Sequence, residues 1–177
     1  VMGNTGATGP PFPAFIYLDS EELEQPPPIP GRDGSNGSNG ASWTLAASRV
    51  ASVANEDFPN LGSYSEIYVI CHAITKAISG TLQLQVSTDN GSTFLTTSGD
   101  YQNIAGTGVL TNVTSATLHG TNAAVARTGF ADLTNFNGAS PKTYTGNFAF
   151  GIIPTTTALN AIRIFGSNGG ALTGGTI

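Results

Sequence analysis

Charged side chains are scarce in this sequence. Lys, Arg, Asp and Glu make up 10% of its 177 residues, whereas an average soluble domain has about 25%. Only two lysines and five glutamates are present, and amphipathic surface helices need such residues on their solvent-facing side. Together with 23 glycines and 10 prolines, this composition predicts a chain rich in β-structure.

Basic residues are especially few. Six Lys and Arg face eleven Asp and Glu, which gives a net charge of −5 and a pI near 4.7. Binding to a phosphate backbone needs clustered Lys and Arg, so we expect no nucleic-acid partner. No run approaches the roughly 20 apolar residues of a membrane span, and no signal peptide is evident. We therefore expect a soluble chain, made in the cytoplasm and without membrane insertion.

The chain has one cysteine, Cys71, so it cannot form an internal disulfide, and a lone cysteine does not make a metal site. We expect Cys71 to be buried. His72 follows it in a candidate strand, where adjacent side chains point to opposite faces, so the two residues do not make a nucleophilic pair. The sequence contains no nucleophile elbow, phosphate-binding loop or zinc-type spacing. We predict no catalytic residues, no metal site, no cofactor and no enzymatic activity.

Glycine recurs every third residue in two blocks near the N-terminus, 3–11 and 31–42. A collagen triple helix requires this period, because only glycine fits at the axis that three chains share. The pattern predicts short triple-helical segments and therefore a homotrimer; a flexible Gly/Ser linker is the alternative. The triple-helix glycines are Gly3, Gly6, Gly9, Gly31, Gly34, Gly37 and Gly40.

An acidic, proline-rich insert separates the two glycine blocks. Its prolines favour extended backbone, and its apolar residues suggest a segment that docks on a capsid or tail protein or on the chain's own trimer mates. A disordered linker remains the alternative. The candidate docking residues are Phe12, Phe15, Ile16, Tyr17, Leu18 and Ile29.

From Trp43 the chain reads as one β-rich domain, residues 43–177, after an extended attachment segment, residues 1–42. Leu82, Leu84 and Val86 alternate with polar residues, as expected of a strand with one buried face. Glu66 to His72 is nearly all apolar, which suggests one face in the core and the other against a neighbouring subunit. Strands are predicted at 43–53, 66–74, 81–88, 109–118, 128–133, 145–153 and 161–165. The fold class predicted is all-β: an extended, collagen-like segment followed by a jelly-roll-like β-sandwich.

Ser87 to Phe94 resembles the Asp-box turn of sialidases and other glycan-acting propellers. Within it Asn90-Gly91 favours a type I′ turn, and Asp89 can accept hydrogen bonds from the turn amides. The motif occurs once, and the domain is too short for a sialidase propeller. We therefore expect a structural turn.

The order of these parts resembles the collagen-like fibre and appendage proteins of tailed bacteriophages. The resemblance is carried by residues 25–31, which lead into the second glycine block, and by residues 63–70, 82–94, 99–101 and 161–167 of the β domain. It covers nearly the whole chain.

The resemblance implies a homotrimeric virion fibre, anchored by its N-terminal segment, whose knob adheres to the host cell surface. Host-surface glycan is an expected ligand, and a capsid or tail protein an expected partner. Candidate ligand loops are residues 98–108 and 135–144, with Tyr101, Asn103, Phe136, Asn137 and Lys142. Two alternatives stay open: an architectural head fibre or capsid decoration protein without receptor binding, and a glycan depolymerase, which the lack of an acidic-pair signal disfavours.

Overall fold

The computed structural model describes residues 14–16, 43–104, 110–121, 125–147 and 150–177. All seven candidate triple-helix glycines, Gly3, Gly6, Gly9, Gly31, Gly34, Gly37 and Gly40, lie outside the described residues. Phe12, Tyr17, Leu18 and Ile29 of the candidate docking segment lie outside them too. The triplets, the trimer and most of the docking segment therefore stay predictions.

Strands are the main regular structure of the described residues, and no α-helix occurs among them. The strands are β1 (Ala14–Ile16), β2 (Thr44–Leu45), β3 (Asn55–Phe58), β4 (Glu66–Lys76), β5 (Gly80–Ser87), β6 (Tyr101–Ile104), β7 (Leu110–Val113), β8 (Ala116–Thr121), β9 (Arg127–Thr134), β10 (Lys142–Gly146), β11 (Phe150–Ile153), β12 (Ala161–Gly166) and β13 (Leu172–Thr176). A single 3₁₀ turn, Ser167–Gly169, precedes β13. The prediction of an all-β chain is confirmed.

The strands form two sheets. The larger has the order β2-β1-β4-β9-β10-β11-β6-β7, with β13 paired to the second half of β4. The smaller has the order β3-β12-β5-β8. All pairings are antiparallel except those of β1, which runs parallel to both β2 and β4. The arrangement is consistent with a β-sandwich.

Four of the antiparallel pairs are nested along the chain. The innermost is β6 with β7, followed by β5 with β8, β4 with β9, and β3 with β12. Successive pairs alternate between the larger and the smaller sheet. The chain thus folds like one long hairpin wound around the core, and the β10–β11 hairpin is inserted between β9 and β6.

The core lies between the two sheets and contains the side chains that alternate inward along each strand. The larger sheet contributes Ile67, Val69, Cys71, Tyr101, Ala131, Leu133, Tyr144 and Ile153; the smaller contributes Phe58, Leu82, Leu84, Val86, Leu118, Ile162 and Ile164. Cys71 is buried as predicted, while His72 is exposed. Burial of these apolar side chains is the main force that holds the sheets together.

Several predicted strands have different bounds in the structure. Residues 43–53 contain only β2 and an isolated bridge at Val50. The predicted strand 109–118 divides into β7 and β8, which lie in different sheets. The predicted strand 145–153 contains the turn between β10 and β11. Strands β3, β6 and β13 were not predicted, because they are short or glycine-rich and carry no clear alternation.

Part of the candidate docking segment pairs with the knob itself. The backbone of Phe15 lies opposite Tyr68 and that of Ile16 opposite Val69, in the parallel pairing of β1 with β4. Residues 14–16 therefore belong to the larger sheet, although they precede position 43, where the sequence suggested that the β domain begins.

Candidate binding surfaces

Three of the five candidate ligand residues are core side chains. Tyr101, Phe136 and Lys142 are each 0% exposed. The Tyr101 hydroxyl accepts a hydrogen bond from the Val86 amide at 2.8 Å and donates to the Leu95 carbonyl at 3.2 Å. The structure thus places these side chains where a ligand at the surface does not reach them.

Lys142 holds two loops together. Its Nζ donates to the carbonyls of Gly138, Ser140 and Thr155 at 2.8, 2.9 and 3.2 Å. Burial lowers the pKa of this ammonium group, and the three carbonyl oxygens provide the hydrogen bonds that a buried cation needs. Lys142 therefore fixes the loop 135–141 against the loop that follows β11.

The other two candidates, Asn103 and Asn137, are partly exposed. Asn103 Oδ1 accepts a hydrogen bond from the Tyr144 hydroxyl, so one side of its amide faces the core. Asn103 lies within β6, whereas Asn137 lies in the loop that follows β9. The two residues therefore belong to different parts of the domain. The structure does not bring the five candidates together in one cluster.

The turn that resembles an Asp-box is internally satisfied. Asp89 accepts hydrogen bonds from the Thr93 amide at 2.8 Å, the Thr93 hydroxyl at 2.6 Å and the Ser87 hydroxyl at 2.7 Å. Asn90 and Gly91 both have positive φ, as a type I′ turn requires. Because its hydrogen-bonding groups are used within the turn, Asp89 has a structural role here.

The loops of the sandwich gather at two opposite ends, which the strand directions define. Trp43 lies just before β2, and β1 and β2 run parallel to β4 and begin at the same end of the sheet as β4 does. We call this the entry end; the loops 59–65, 88–100, 135–141 and 154–160 lie there.

The far end carries the loops that join the strands at their opposite ends. Its described segments are 77–79, 125–126, 147 and 167–171. Ile78 is 51% exposed and Val125 is 42% exposed, and Asn147 and Asn168 are also exposed. This end therefore presents apolar and amide groups together. Both predicted ligand loops, 98–108 and 135–144, begin at the entry end instead.

The larger sheet has an outer face, turned away from the core, that is rich in apolar side chains. Along β4 and β9, this face carries the side chains that alternate with the buried Ile67, Val69, Ala131 and Leu133. The apolar members are Tyr68, Ile70, Ile104, Phe130, Phe150 and Ile152. Phe150 is 49% exposed. We refer to these six residues as the apolar outer face.

Aromatic contacts join the apolar outer face to the start of the domain. Tyr68 and Phe130 are stacked, with ring centroids 5.5 Å apart. The rings of Trp43 and Tyr68 are in an edge-to-face arrangement with their centroids 6.1 Å apart. Trp43 is itself 45% exposed. Trp43, the residue just before β2, is therefore part of the same surface.

The outer face of the smaller sheet is different, because its charged and polar groups are paired. Arg163 makes a bidentate ion pair with Asp57, with both N–O distances 2.7 Å, and its guanidinium lies 4.0 Å from the centroid of the Phe94 ring. Gln85 donates to the Thr114 carbonyl at 3.2 Å. This face is suited to contact with water.

Two carboxyl groups lie beside the apolar outer face. Glu66 on β4 and Asp132 on β9 are diagonal neighbours. Desolvation and the charge and hydrogen bond of Asp132 raise the pKa of Glu66, while desolvation raises that of Asp132. Asp132 Oδ1 is shielded from solvent and has no hydrogen-bond partner among the described residues. Both carboxyl groups therefore take up a proton more readily than an isolated Glu or Asp side chain does.

Within the part of the chain that the structure describes, no group of three or more His, Cys, Asp and Glu side chains could hold a metal ion. Those same residues include no helix long and apolar enough to cross a bilayer. Comparisons with protein-family models, curated proteins and solved structures found no match. The similarity to phage fibres therefore stays a prediction from the sequence.

Proposed function

We propose that this chain is a homotrimeric structural fibre of a tailed-phage virion, anchored by its N-terminal segment and adhering to the host surface through its knob. The observation that carries the proposal is positional: the two glycine blocks, 3–11 and 31–42, precede β1 and β2 in the sequence, and both strands begin at the entry end of the sandwich. A shaft that leaves from the entry end directs the far end away from the virion.

The strand order supports a jelly roll. Nested antiparallel pairs that alternate between two facing sheets are expected of that architecture, in which Greek-key connections link eight strands. β3, β12, β5 and β8 form one sheet; β4, β9, β6 and β7, with the inserted hairpin, belong to the other. Jelly rolls occur in viral capsid proteins and lectins, which fits a virion protein that binds a surface.

The far end is the better candidate for adhesion. It presents the exposed apolar residues Ile78 and Val125 and the exposed amide residues Asn147 and Asn168. Apolar groups next to a few polar ones are typical of ligand sites, and three copies on one shaft raise the effective concentration of weak contacts. Adhesion of this kind needs no catalytic group.

Binding of the full chain to bacterial cells and to an array of bacterial surface glycans tests the proposal. The variant Ile78→Lys should lose at least about tenfold in apparent affinity, because a charge replaces an apolar contact that three copies share. The control is Thr156→Lys, which places the same charge on an exposed entry-end position. Equal binding by both variants would contradict a far-end contact.

An architectural fibre without receptor binding is the second candidate, favoured by the internally satisfied Asp89 turn and the buried Lys142 at the entry end. In that case the full chain should sediment as a trimer but bind neither cells nor glycans. A monomer in sedimentation would contradict both candidates.

A further inference from the structure

We propose that the apolar outer face is the surface through which three copies of this chain pack around a common axis. This inference rests on the proposed trimeric fibre and assigns the residues that hold its knobs together. The occupant of the face is then a second copy of the chain, and each knob contributes Tyr68, Phe130 and Phe150 to the contact.

The position of Trp43 argues for a second copy as the occupant. The last glycine block ends at residue 42, so no spacer separates it from Trp43, and Trp43 contacts Tyr68 on the face. A triple helix brings three backbones together at an axis where only glycine fits. Because each residue spans at most about 3.6 Å, three chains joined there hold their Trp43 residues, and the adjoining faces, near one axis.

The distribution of charge on the two outer faces points the same way. The described side chains of the larger sheet's outer face include no Lys or Arg; its carboxyl groups are Glu66 and Asp132, which are diagonal neighbours. The smaller sheet's outer face carries the Arg163–Asp57 ion pair. Away from Glu66 and Asp132, the larger sheet's outer face is mostly apolar or hydroxyl-bearing, so an identical copy can cover it while burying few charges, which are costly to bury unpaired between subunits.

The middle of the face can accommodate close packing. Thr145 lies opposite Phe150 and diagonal to Phe130, and Thr143 lies between Ile152 and Thr134, with which it shares a hydrogen bond of 2.6 Å. Because Thr is smaller than Phe, we expect the rings of Phe130 and Phe150 to project beyond these two hydroxyl residues. Rings of one copy can then pack against the threonines of the next, as complementary interfaces require.

The first test compares two charge substitutions at matched exposure in the full chain. Phe150→Lys changes a residue of the face that is 49% exposed, and Ile78→Lys one of the far end that is 51% exposed. Sedimentation across a dilution series should show that Phe150→Lys weakens trimer formation by about tenfold or more, while Ile78→Lys sediments like the parent chain. Equal association of both variants would overturn the inference.

A second test does not depend on disrupting the protein. Cys71 is buried, and burial raises the pKa of its thiol to about 12, so it should not react with a maleimide in the folded chain. A single Thr145→Cys substitution should then react at least about tenfold more slowly than Thr156→Cys, which lies off the face, because labelling of a covered site requires local opening. Equal rates in a trimer would overturn the inference.

The outcomes separate the inference from the function on which it rests. A full chain that sediments as a monomer contradicts the trimeric fibre and the inference together. A trimer in which Thr145→Cys labels freely and Phe150→Lys still associates leaves the fibre intact, but shows that the face is open to another partner. A trimer that protects Thr145→Cys and is weakened by Phe150→Lys supports both.

Discussion

Asp89 shows how a functional motif can be explained by local hydrogen bonding. Its carboxylate accepts bonds from the Thr93 amide and hydroxyl and from the Ser87 hydroxyl, and these donors lower its pKa to about 2. Hydrogen bonds to the ionised form stabilise that form. Asp89, the central residue of the motif that resembles an Asp-box, therefore stabilises the turn in which it lies.

The pKa of Asp89 predicts an acid-dependent loss of stability. Because its pKa in the folded chain lies below the ordinary value of 3.8, its contribution is present above about pH 4 and is lost as the pH falls toward 2. Asp89→Asn should lower the melting temperature at pH 7 and flatten its decline between pH 4 and 2. Thermal unfolding across this range measures both effects; parallel curves for variant and parent would contradict the assignment.

Residues named as ligand candidates show where sequence reasoning fails at this scale. Tyr101, Phe136 and Lys142 stand among Gly, Asn and Ser, a composition that indicates exposed loops. In the structure they are the anchors of those loops, because a loop without its own regular hydrogen bonding needs buried side chains to fix it. The large side chain in a polar segment is then the least exposed residue there.

At the level of single elements, β11 depends on close packing at Gly151. A Cβ on this residue would lie 2.1 Å from the Gln102 carbonyl oxygen and 2.6 Å from the Tyr144 hydroxyl. These atoms belong to the two strands that flank β11, and the backbone carbonyl cannot move without disturbing its sheet. Gly151 therefore allows β6, β10 and β11 to pack as they do.

Gly151→Ala should destabilise the domain by about 1–3 kcal/mol, the usual cost of overpacking a core. The matched control is Gly120→Ala in β8, where an added Cβ meets nothing within 4 Å; its effect should stay within about 0.5 kcal/mol. Urea unfolding of both variants gives the comparison. Similar midpoints for the two variants would contradict the packing argument.

The sequence predicted the long strands well, but it missed the point at which the chain passes from one sheet to the other. The predicted ranges for β4, β5, β9 and β12 agree with the structure to within about two residues. The predicted strand 109–118 crosses from the larger to the smaller sheet at Thr114 and Ser115. Hydrophobic periodicity reports which side of a strand is buried, but it carries no information about which sheet the strand joins.

At the scale of the whole molecule, assembly through the apolar outer face would be sensitive to pH. Packing another copy against this face removes water from Glu66 and Asp132, whose pKa values are already raised by desolvation. Their pKa values should rise further, so association takes up protons and strengthens as the pH falls from 7 toward their ordinary values of 4.5 and 3.8.

The prediction is that Asp132→Asn reduces this pH dependence in the full chain. Asn keeps the size of the side chain but removes one titrating group, so the trimer dissociation constant should change less between pH 7 and 5. Sedimentation at several pH values measures the effect, with Asp100→Asn as the control on a carboxylate outside the face. An unchanged pH dependence in Asp132→Asn would contradict the role of the pair.

The sequence by itself determined the all-β class of the described residues, the burial of Cys71 and the turn at Asn90-Gly91, because composition, alternation and turn chemistry are properties of neighbouring residues. Only the tertiary structure decided which strands pair, that three of the five candidate ligand residues are buried, and that six apolar side chains from four strands share one outer face. Those features depend on contacts between residues far apart in the chain, and the register of a sheet, rather than any local pattern, brings such residues together.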